Sequence, residues 1–511
     1  MSAIISDKFR ILNAETFVRT ITGVSTAYTF IGQPNAYNPK VGTGRVDWGL
    51  GPAPLDNRDQ ENKIKETIIA LNKITPDNVR RIVRRVTWET GKIYEMYRHD
   101  YSIYNLSPQT NSSSLYETNY YVVNKNYRVY ICLNNGTNNE NPLGRQSIDE
   151  PDFVDLEPSV AGTSGDGYIW KYLFTISPSD IIKFDSENYI PLPSNWGEVG
   201  TESFSVKNNA VEGKIESVVV KSRGLGYSPN SKSISGVPIL GDGVGGKATV
   251  IINEFGEVSN VIVTDGGYGY TKGIINFAAG APGISSVDLV SSATPAEFDV
   301  IIPPKGGHGY DIYSELGAYR VMVYSRYETD ITNPDVIVGN DFATIGILNN
   351  PVVNNGLNYA SGLKGLKLTG SDTIYQVDDQ ITQNIGAGKT AVGYVASWSN
   401  DTKILRYYQS AEALDETNGY RLYDFTSTPD TGGSLTIQNY SGTSLNIDTT
   451  FNGSTYTINN NRTINLGTNY TSGISSSEYV KGTGDLIYID NRQPITRSLS
   501  QKEDIKIILE F

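Results

Sequence analysis

Tyr127-Arg128-Val129-Tyr130-Ile131-Cys132-Leu133 and Tyr168-Ile169-Trp170-Lys171-Tyr172-Leu173-Phe174 are the runs that decide the fold. Both are rich in aromatic and β-branched residues, repeat with a period near two, and lie between Asn- and Gly-containing turns, so both read as strands. In the second run, which follows the turn Ser164-Gly165-Asp166-Gly167, alternation puts Tyr168, Trp170 and Tyr172 on one face and Ile169, Lys171 and Leu173 on the other. Trp170 is expected in a core. Tyr120-Tyr121-Val122-Val123 reads as a further strand, and Ser177-Pro178-Ser179-Asp180 starts a short turn or helix. Many short strands separated by turn signals point to antiparallel β-sandwiches rather than βαβ units.

Upstream, the pattern is helical. Ala14, Phe17, Val18 and Ile21 form a stripe between Asn13 and Ile21, and Ile64, Ile68, Leu71 and Ile74 form another between Asp59 and Ile74. Gly32-Gln33-Pro34-Asn35 and Gly49-Leu50-Gly51-Pro52-Ala53-Pro54 are loops between them. Asp77 is placed to cap a short turn carrying Val79, Ile82 and Val83. The basic run Arg80-Arg81-Ile82-Val83-Arg84-Arg85 then reads as a solvated or intersubunit helix face, with an acidic partner surface as the sharper reading.

Downstream lies an internal repeat. Gly213-Lys214-Ile215-Glu216-Ser217-Val218-Val219-Val220, closing in Gly224-Leu225-Gly226-Tyr227, recurs 43 positions on as Gly256-Glu257-Val258-Ser259-Asn260-Val261-Ile262-Val263, closing in Gly267-Tyr268-Gly269-Tyr270. Ala248-Thr249-Val250-Ile251-Ile252 and Phe298-Asp299-Val300-Ile301-Ile302 follow the two copies as related strands. Each unit is a turn, a strand and a Gly-x-Gly-Tyr bend, and stacked units would bury a shared face. From about Asn355 to Gly482 the chain turns to Asn, Thr, Ser and Gly. Thr390–Val395 and Ile404–Tyr408 survive there as strand islands, while Asn452–Asn459 reads as a polar hairpin or loop, with disorder a rival for parts of the segment.

Bulk properties bound the function. At 511 residues the chain exceeds what one core serves. Tyr outnumbers Phe 34 to 14, which suits half-buried strand faces and protein contacts. A net charge of −13 disfavours nucleic-acid backbones. With Cys132 alone there is no disulfide framework, and with only His99 and His308 no imidazole metal cluster is expected. No apolar run reaches the roughly 20 residues that cross a bilayer, and the N-terminus does not read as a secretory signal.

No catalytic constellation emerges. Gly241–Ala248 and Gln383–Thr390 mimic a phosphate-binding loop, but each precedes β-alternating residues instead of the helix that the chemistry needs, so both read as Gly-rich turns. His99 and His308 lack a neighbouring nucleophile. Cys132 reads as a small buried hydrophobe. The adjacent carboxylates Asp149-Glu150 and Asp378-Asp379 point to opposite strand faces. The expectation is a non-enzyme with no catalytic, cofactor-binding or metal residues and no cofactor.

Four segments carry a family resemblance. Lys8-Phe9-Arg10, Arg84-Arg85-Val86-Thr87-Trp88-Glu89-Thr90, Gly165–Phe174, and Gly484-Asp485-Leu486-Ile487-Tyr488-Ile489-Asp490-Asn491-Arg492-Gln493-Pro494-Ile495 continuing into Ile505–Phe511 together resemble the baseplate wedge subunit of T4-like phages, the gene-product-eight family. Phe342–Pro351 is a fainter match. The resemblance covers about residues 1–204, 305–355 and 480–511, and the Gly-x-Gly-Tyr repeat is similar to modules of T4-like cyanophage structural proteins. It implies a mainly β, multi-domain chain of antiparallel β-sandwiches with a few N-terminal helices and an inserted repeat module. The implied divisions are 1–100 (helical and mixed core), 101–204 (β-sandwich), 205–303 (inserted repeat), 304–355 (return to the core), 356–480 (inserted polar β segment) and 481–511 (terminal strands). Arg492 is placed to bridge to a carboxylate in the core or across an interface. The implied function is structural: a subunit of the baseplate of a contractile tail, in the virion, assembled in the host cytoplasm. Its implied partners are a second copy of itself, other wedge proteins and short tail fibre attachment proteins, with no nucleic acid or membrane. The alternative is a host-polysaccharide-binding adhesin or fibre-associated tail protein, which the polar segment and the Tyr excess motivate.

Overall fold

A computed structural model describes residues 4–32, 53–138, 141–285, 289, 294–328, 342–370, 375–376, 379–409, 414–458, 463–492 and 502–511. Most of the two expected loops between residues 32 and 54, along with Asp378 and Gln493–Ile495, lies outside them. The protein is mainly β, 39% strand and 13% helix, in several antiparallel sheets with one closed six-stranded barrel. It divides into two compact units. The first comprises Met1–Thr16, Arg80–Met322 and Ile508–Phe511, and the second Phe17–Val79 and Val323–Ile507.

The first unit is built on an aromatic sheet in which Arg128–Asn135 pairs antiparallel with both Tyr121–Val123 and Tyr168–Thr175. The alternation expected along Tyr168–Phe174 is present, but both faces are covered: Trp170 and Tyr172 are fully buried, and so are Lys171 and Leu173. The tyrosines are core residues here rather than half-wet ones. Tyr94, Tyr120, Tyr121, Tyr130, Tyr168 and Tyr172 are all buried. Their hydroxyls reach polar groups nearby: Tyr120 donates to Glu315 O at 2.5 Å, Tyr121 to Arg84 O at 2.6 Å, Tyr130 to Phe153 O at 2.6 Å and Tyr168 to Arg145 O at 2.7 Å. The carbonyls of Phe153 and Arg145 lie in loops with no ladder to join, and those of Arg84 and Glu315 at the ends of a strand and a helix; a buried carbonyl left bare costs about 1–3 kcal/mol. A phenol satisfies it while its ring fills the core.

Two helical expectations change. The helix at the N-terminus spans Asp7–Arg19 and runs into a wider turn at Thr20–Val24. The second helix covers only Arg58–Thr67, capped by Asn57, whose side chain accepts from Gln60 N. Ile68–Lys73 is a strand, buried along almost its whole length. A strand covered on both faces is a continuous apolar run, and Ile68 and Leu71 in it happen to continue the helical spacing that Ile64 sets in the helix before it. Asp77 lies inside a single turn, Pro76–Asn78, whose N-cap position is Thr75, and Val79–Arg84 is again a strand. The basic run is therefore no helix face. Arg80 is buried against Asp180 at 2.9 Å, Arg81 stacks 3.2 Å over the Tyr313 ring, Arg84 donates to Thr118 O at 3.0 Å, and Arg85 pairs with Asp185.

The repeat module is an interlocked pair. Strand Ser217–Ser222 of the first copy pairs with Glu297–Ile301, which follows the second copy. Strand Val258–Asp265 of the second copy pairs with Lys247–Ile252, which follows the first. The remaining contacts are reciprocal too. Ile215 N donates to Gly266 O and Val258 N to Arg223 O, both at 2.9 Å; Tyr227 N donates to Gly256 O at 2.9 Å and Tyr270 N to Gly213 O at 3.3 Å. Each Gly-x-Gly-Tyr bend thus seats on the glycine that opens the other copy. A Cβ on Gly213 would stand 2.2 Å from Tyr270 N, and one on Gly256 2.8 Å from Tyr227 O. Each bend tyrosine receives the N–H just ahead of a following strand: Gly246 N at 3.0 Å for Tyr270, Ala296 N at 2.7 Å for Tyr227.

In the second unit a five-stranded sheet runs in the order Tyr359–Ser361, Ile68–Lys73, Ala27–Gly32, Thr344–Asn349, Asp485–Asn491. The polar segment that follows Tyr359–Ser361 is ordered as a barrel. Lys364–Thr369 pairs with Ile404–Tyr408, that strand with Lys389–Ser399, then in turn Gln380–Gly386, Thr436–Asn439 and Ser444–Ile447, which returns to Lys364–Thr369. Its interior is filled by Leu366, Ile381, Val395, Leu405, Phe425 and Ile437, among others. A closed ring needs few large apolar residues because every inward position serves one small core. Gly453–Thr457 and Thr463–Tyr470 form the polar hairpin that the sequence suggested. The chain enters and leaves the barrel side by side: Glu478 N donates to Ser361 O at 2.9 Å and Val480 N to Val352 O at 2.9 Å.

Candidate functional site

The first unit contains a seam between the aromatic sheet and the repeat module. On one side is a loop from Met96 to Pro108, fixed by Arg98. Its guanidinium makes a two-pronged bond with Asp100, both contacts 2.8 Å, and reaches Asp299 of the module at 3.0 Å. Burial opposes the charge on Asp100, but the hydrogen bond and charge of Arg98 outweigh it and hold that carboxyl below the ordinary range. On the other side, Lys171 of the aromatic strand meets Glu216 of the module at 2.8 Å, with both side chains at most 5% exposed. Lys214 adds a bond to Glu157 at 2.8 Å. Val206, Val219 and Ile301 from the module side belong to the same apolar core as Tyr130 and Trp170.

Two clefts flank this seam. One, about 400 Å³, opens between the Arg98 loop and strand Ser217–Ser222. The other, about 490 Å³, lies beside Glu216 and Lys214 and is bounded by Ile262 and Thr264. Among the described residues that line them, no hydroxyl nucleophile is hydrogen-bonded to a base.

The residues singled out in the sequence are dispersed. His99 Nδ1 accepts from Ile302 N at 3.2 Å, and burial lowers its pKa. His308 is buried, 2.6 Å from Glu315 and edge-on to Tyr97. Cys132 is buried, which pushes its thiol well up and leaves it unreactive. Gly241–Ala248 leads into strand Lys247–Ile252, and Gln383–Thr390 is a hairpin whose tip, Ala387-Gly388, has φ of +50° and +75°. This is the left-handed pair of a tight two-residue turn, with no helix to face a phosphate. Asp149 accepts from Ser164 N at 2.7 Å while Glu150 binds Lys125, so the two carboxylates serve separate loops. Arg492 bridges the nearby Asp490 at 2.6 Å on the surface. Among the described residues no group of three or more His, Cys, Asp or Glu could hold a metal ion, and no helix is long and apolar enough to cross a membrane.

The seam itself escapes motif reading because its partners are far apart in sequence. The one signal was Lys171, a lone cation in an otherwise apolar aromatic strand; a buried lysine requires a buried acid. A comparison of the chain with protein-family models finds no match, and neither does a comparison with curated proteins.

Proposed function

We propose that the chain is a structural subunit of the baseplate wedge of a contractile phage tail, working as a homodimer beside other wedge proteins in the virion. The observation that carries this reading is how the four segments resembling the gene-product-eight family are used. They hold one another and the core, and none of them lines a reaction centre. Arg10 donates to Glu510 at 2.8 Å and to Phe511 O at 2.5 Å, and its guanidinium lies 3.8 Å over the Tyr319 ring. Arg320 binds the other oxygen of Glu510 at 2.8 Å. Burial opposes the Glu510 charge, and the two arginines outweigh it, keeping its pKa below the usual value. Trp88 N donates to Val123 O at 3.0 Å, bringing the Arg84–Thr90 segment onto the aromatic sheet that holds Gly165–Phe174. Asp485–Asn491 pairs along Thr344–Asn349, the fainter of the matching segments.

A scaffold subunit needs interfaces with two stable arrangements rather than a catalytic centre, and the dispersal of His99, His308 and Cys132 suits that. The test is assembly. The tagged full-length chain, expressed during infection, should co-purify in fixed stoichiometry with the other wedge components and sediment with tails. Recovery of the chain alone, at the mass of a monomer, would overturn the reading.

A further inference from the structure

We propose that the cleft beside Arg98 is a binding site for a neutral, hydroxyl-rich ligand, a saccharide. The cleft is composite: Arg98, Asn105 and Thr137 come from the loops of the aromatic sheet, and Val219, Lys221 and Asp299 from the repeat module. At about 400 Å³ it has the size of a small-ligand site, and such sites concentrate where two folded parts meet.

Its chemistry selects the ligand class. The guanidinium of Arg98 is held rigidly between Asp100 and Asp299, and with the Lys221 ammonium on the opposite wall the charges around the cleft sum to zero. That leaves little attraction for an ion, and no enclosed apolar pocket for a lipid. Carboxamide, hydroxyl and carboxylate groups remain at its lining, and together they both donate and accept, as vicinal hydroxyls require. A second feature lies in the same loop, next in sequence to the lining residue Asn105. Ser102 and Asn105 exchange backbone hydrogen bonds, each 3.0 Å, closing a two-residue turn that presents Ile103 and Tyr104. Tyr104 is 93% exposed. An aromatic ring presented in this way has no role in the core, and its face suits the C–H surface of a sugar ring. Asn105, which follows it, lines the cleft.

The experiment uses the full chain against an array of neutral oligosaccharides, including hexose and N-acetylhexosamine oligomers, with positives followed by saturation-transfer NMR and calorimetry. Tyr104→Ala should weaken the best saccharide about three- to tenfold, and Lys221→Ala, from the opposite wall, should weaken it as well. Both side chains are exposed, so unchanged circular dichroism is expected of each variant. The assignment is overturned if no saccharide binds, if both variants bind like the parent, or if an extended peptide rather than a sugar protects these residues. Failure here leaves the wedge reading standing, because that reading rests on assembly and not on this cleft.

Discussion

The repeat module and the barrel are both β segments set within the chain, yet they are built in opposite ways. The barrel closes on itself: its core draws on residues between Leu366 and Ile474 alone, and its entry and exit strands touch at Ser361 and Glu478. The module also has adjoining ends, with Ser217 opposite Ile301, and a core of its own. It is nonetheless joined to its neighbour by Val206, Val219 and Ile301 and by three ion pairs across the seam. Adjoining ends make a segment removable in principle. What it shares with its surroundings decides whether removal is tolerated.

Excision is the sharpest way to break this comparison. Joining Ser361 to Glu478 through a short Gly-Ser linker should leave a folded protein with a cooperative melt. Deleting 205–303 should abolish folding of the first unit, because Lys171, Arg98 and part of the core lose their partners together. Thermal melts with near-UV circular dichroism decide it, and equal tolerance of both deletions would refute the contrast. Next in size, Glu216→Ala leaves the Lys171 ammonium buried without its anion and should cost about 3–5 kcal/mol. The double change Lys171→Met with Glu216→Met should recover most of that, measured by denaturant unfolding.

Inside the module both opening glycines have a positive φ, but Gly213→Ala should cost more than Gly256→Ala, since its Cβ meets a backbone nitrogen at 2.2 Å where that of Gly256 meets a carbonyl oxygen at 2.8 Å. A loss of about 1–3 kcal/mol is expected from the backbone conformation alone; equal, negligible losses would show that the two copies do not interlock. The smallest effect belongs to the barrel. Lys367 is buried there, its ammonium 4.5 Å over the Tyr456 ring, and burial lowers its pKa below the ordinary 10.5. The unfolded chain then holds the proton more tightly than the folded one. Stability should therefore rise with pH across the window from the lowered folded value up to about 10.5 and be flat in this contribution below it. Lys367→Met should remove that slope and raise the melting temperature at neutral pH, while leaving the module variants' pH response unchanged.

The strands of the aromatic sheet were legible because period-two alternation and Gly-Asp turns are local signals. The Gly-x-Gly-Tyr repeat was legible because two copies announce a unit. Ile68–Lys73 was misread because a strand buried on both faces has no alternation to show. The barrel was under-read because a ring of six short strands spreads its core over positions such as Leu366, Val395 and Ile437, each alone in a polar neighbourhood. Of the candidate cleft, nothing but Lys171 hinted at a seam, since Arg98 and Asp299 stand 201 positions apart.

By itself the sequence determined the class of the protein: β-rich and acidic, with phosphate-loop mimics that lead into strands and an internal Gly-x-Gly-Tyr repeat. Those properties follow from local periodicity, turn chemistry and composition. Only the tertiary structure decided that the basic run is a strand held by ion pairs and stacking, that the tyrosines are core residues bonding backbone carbonyls, and that the two repeat copies exchange strands. Each depends on partners far off in the chain, and pairing over such distances is set by which buried charge or carbonyl finds its match once the core has closed.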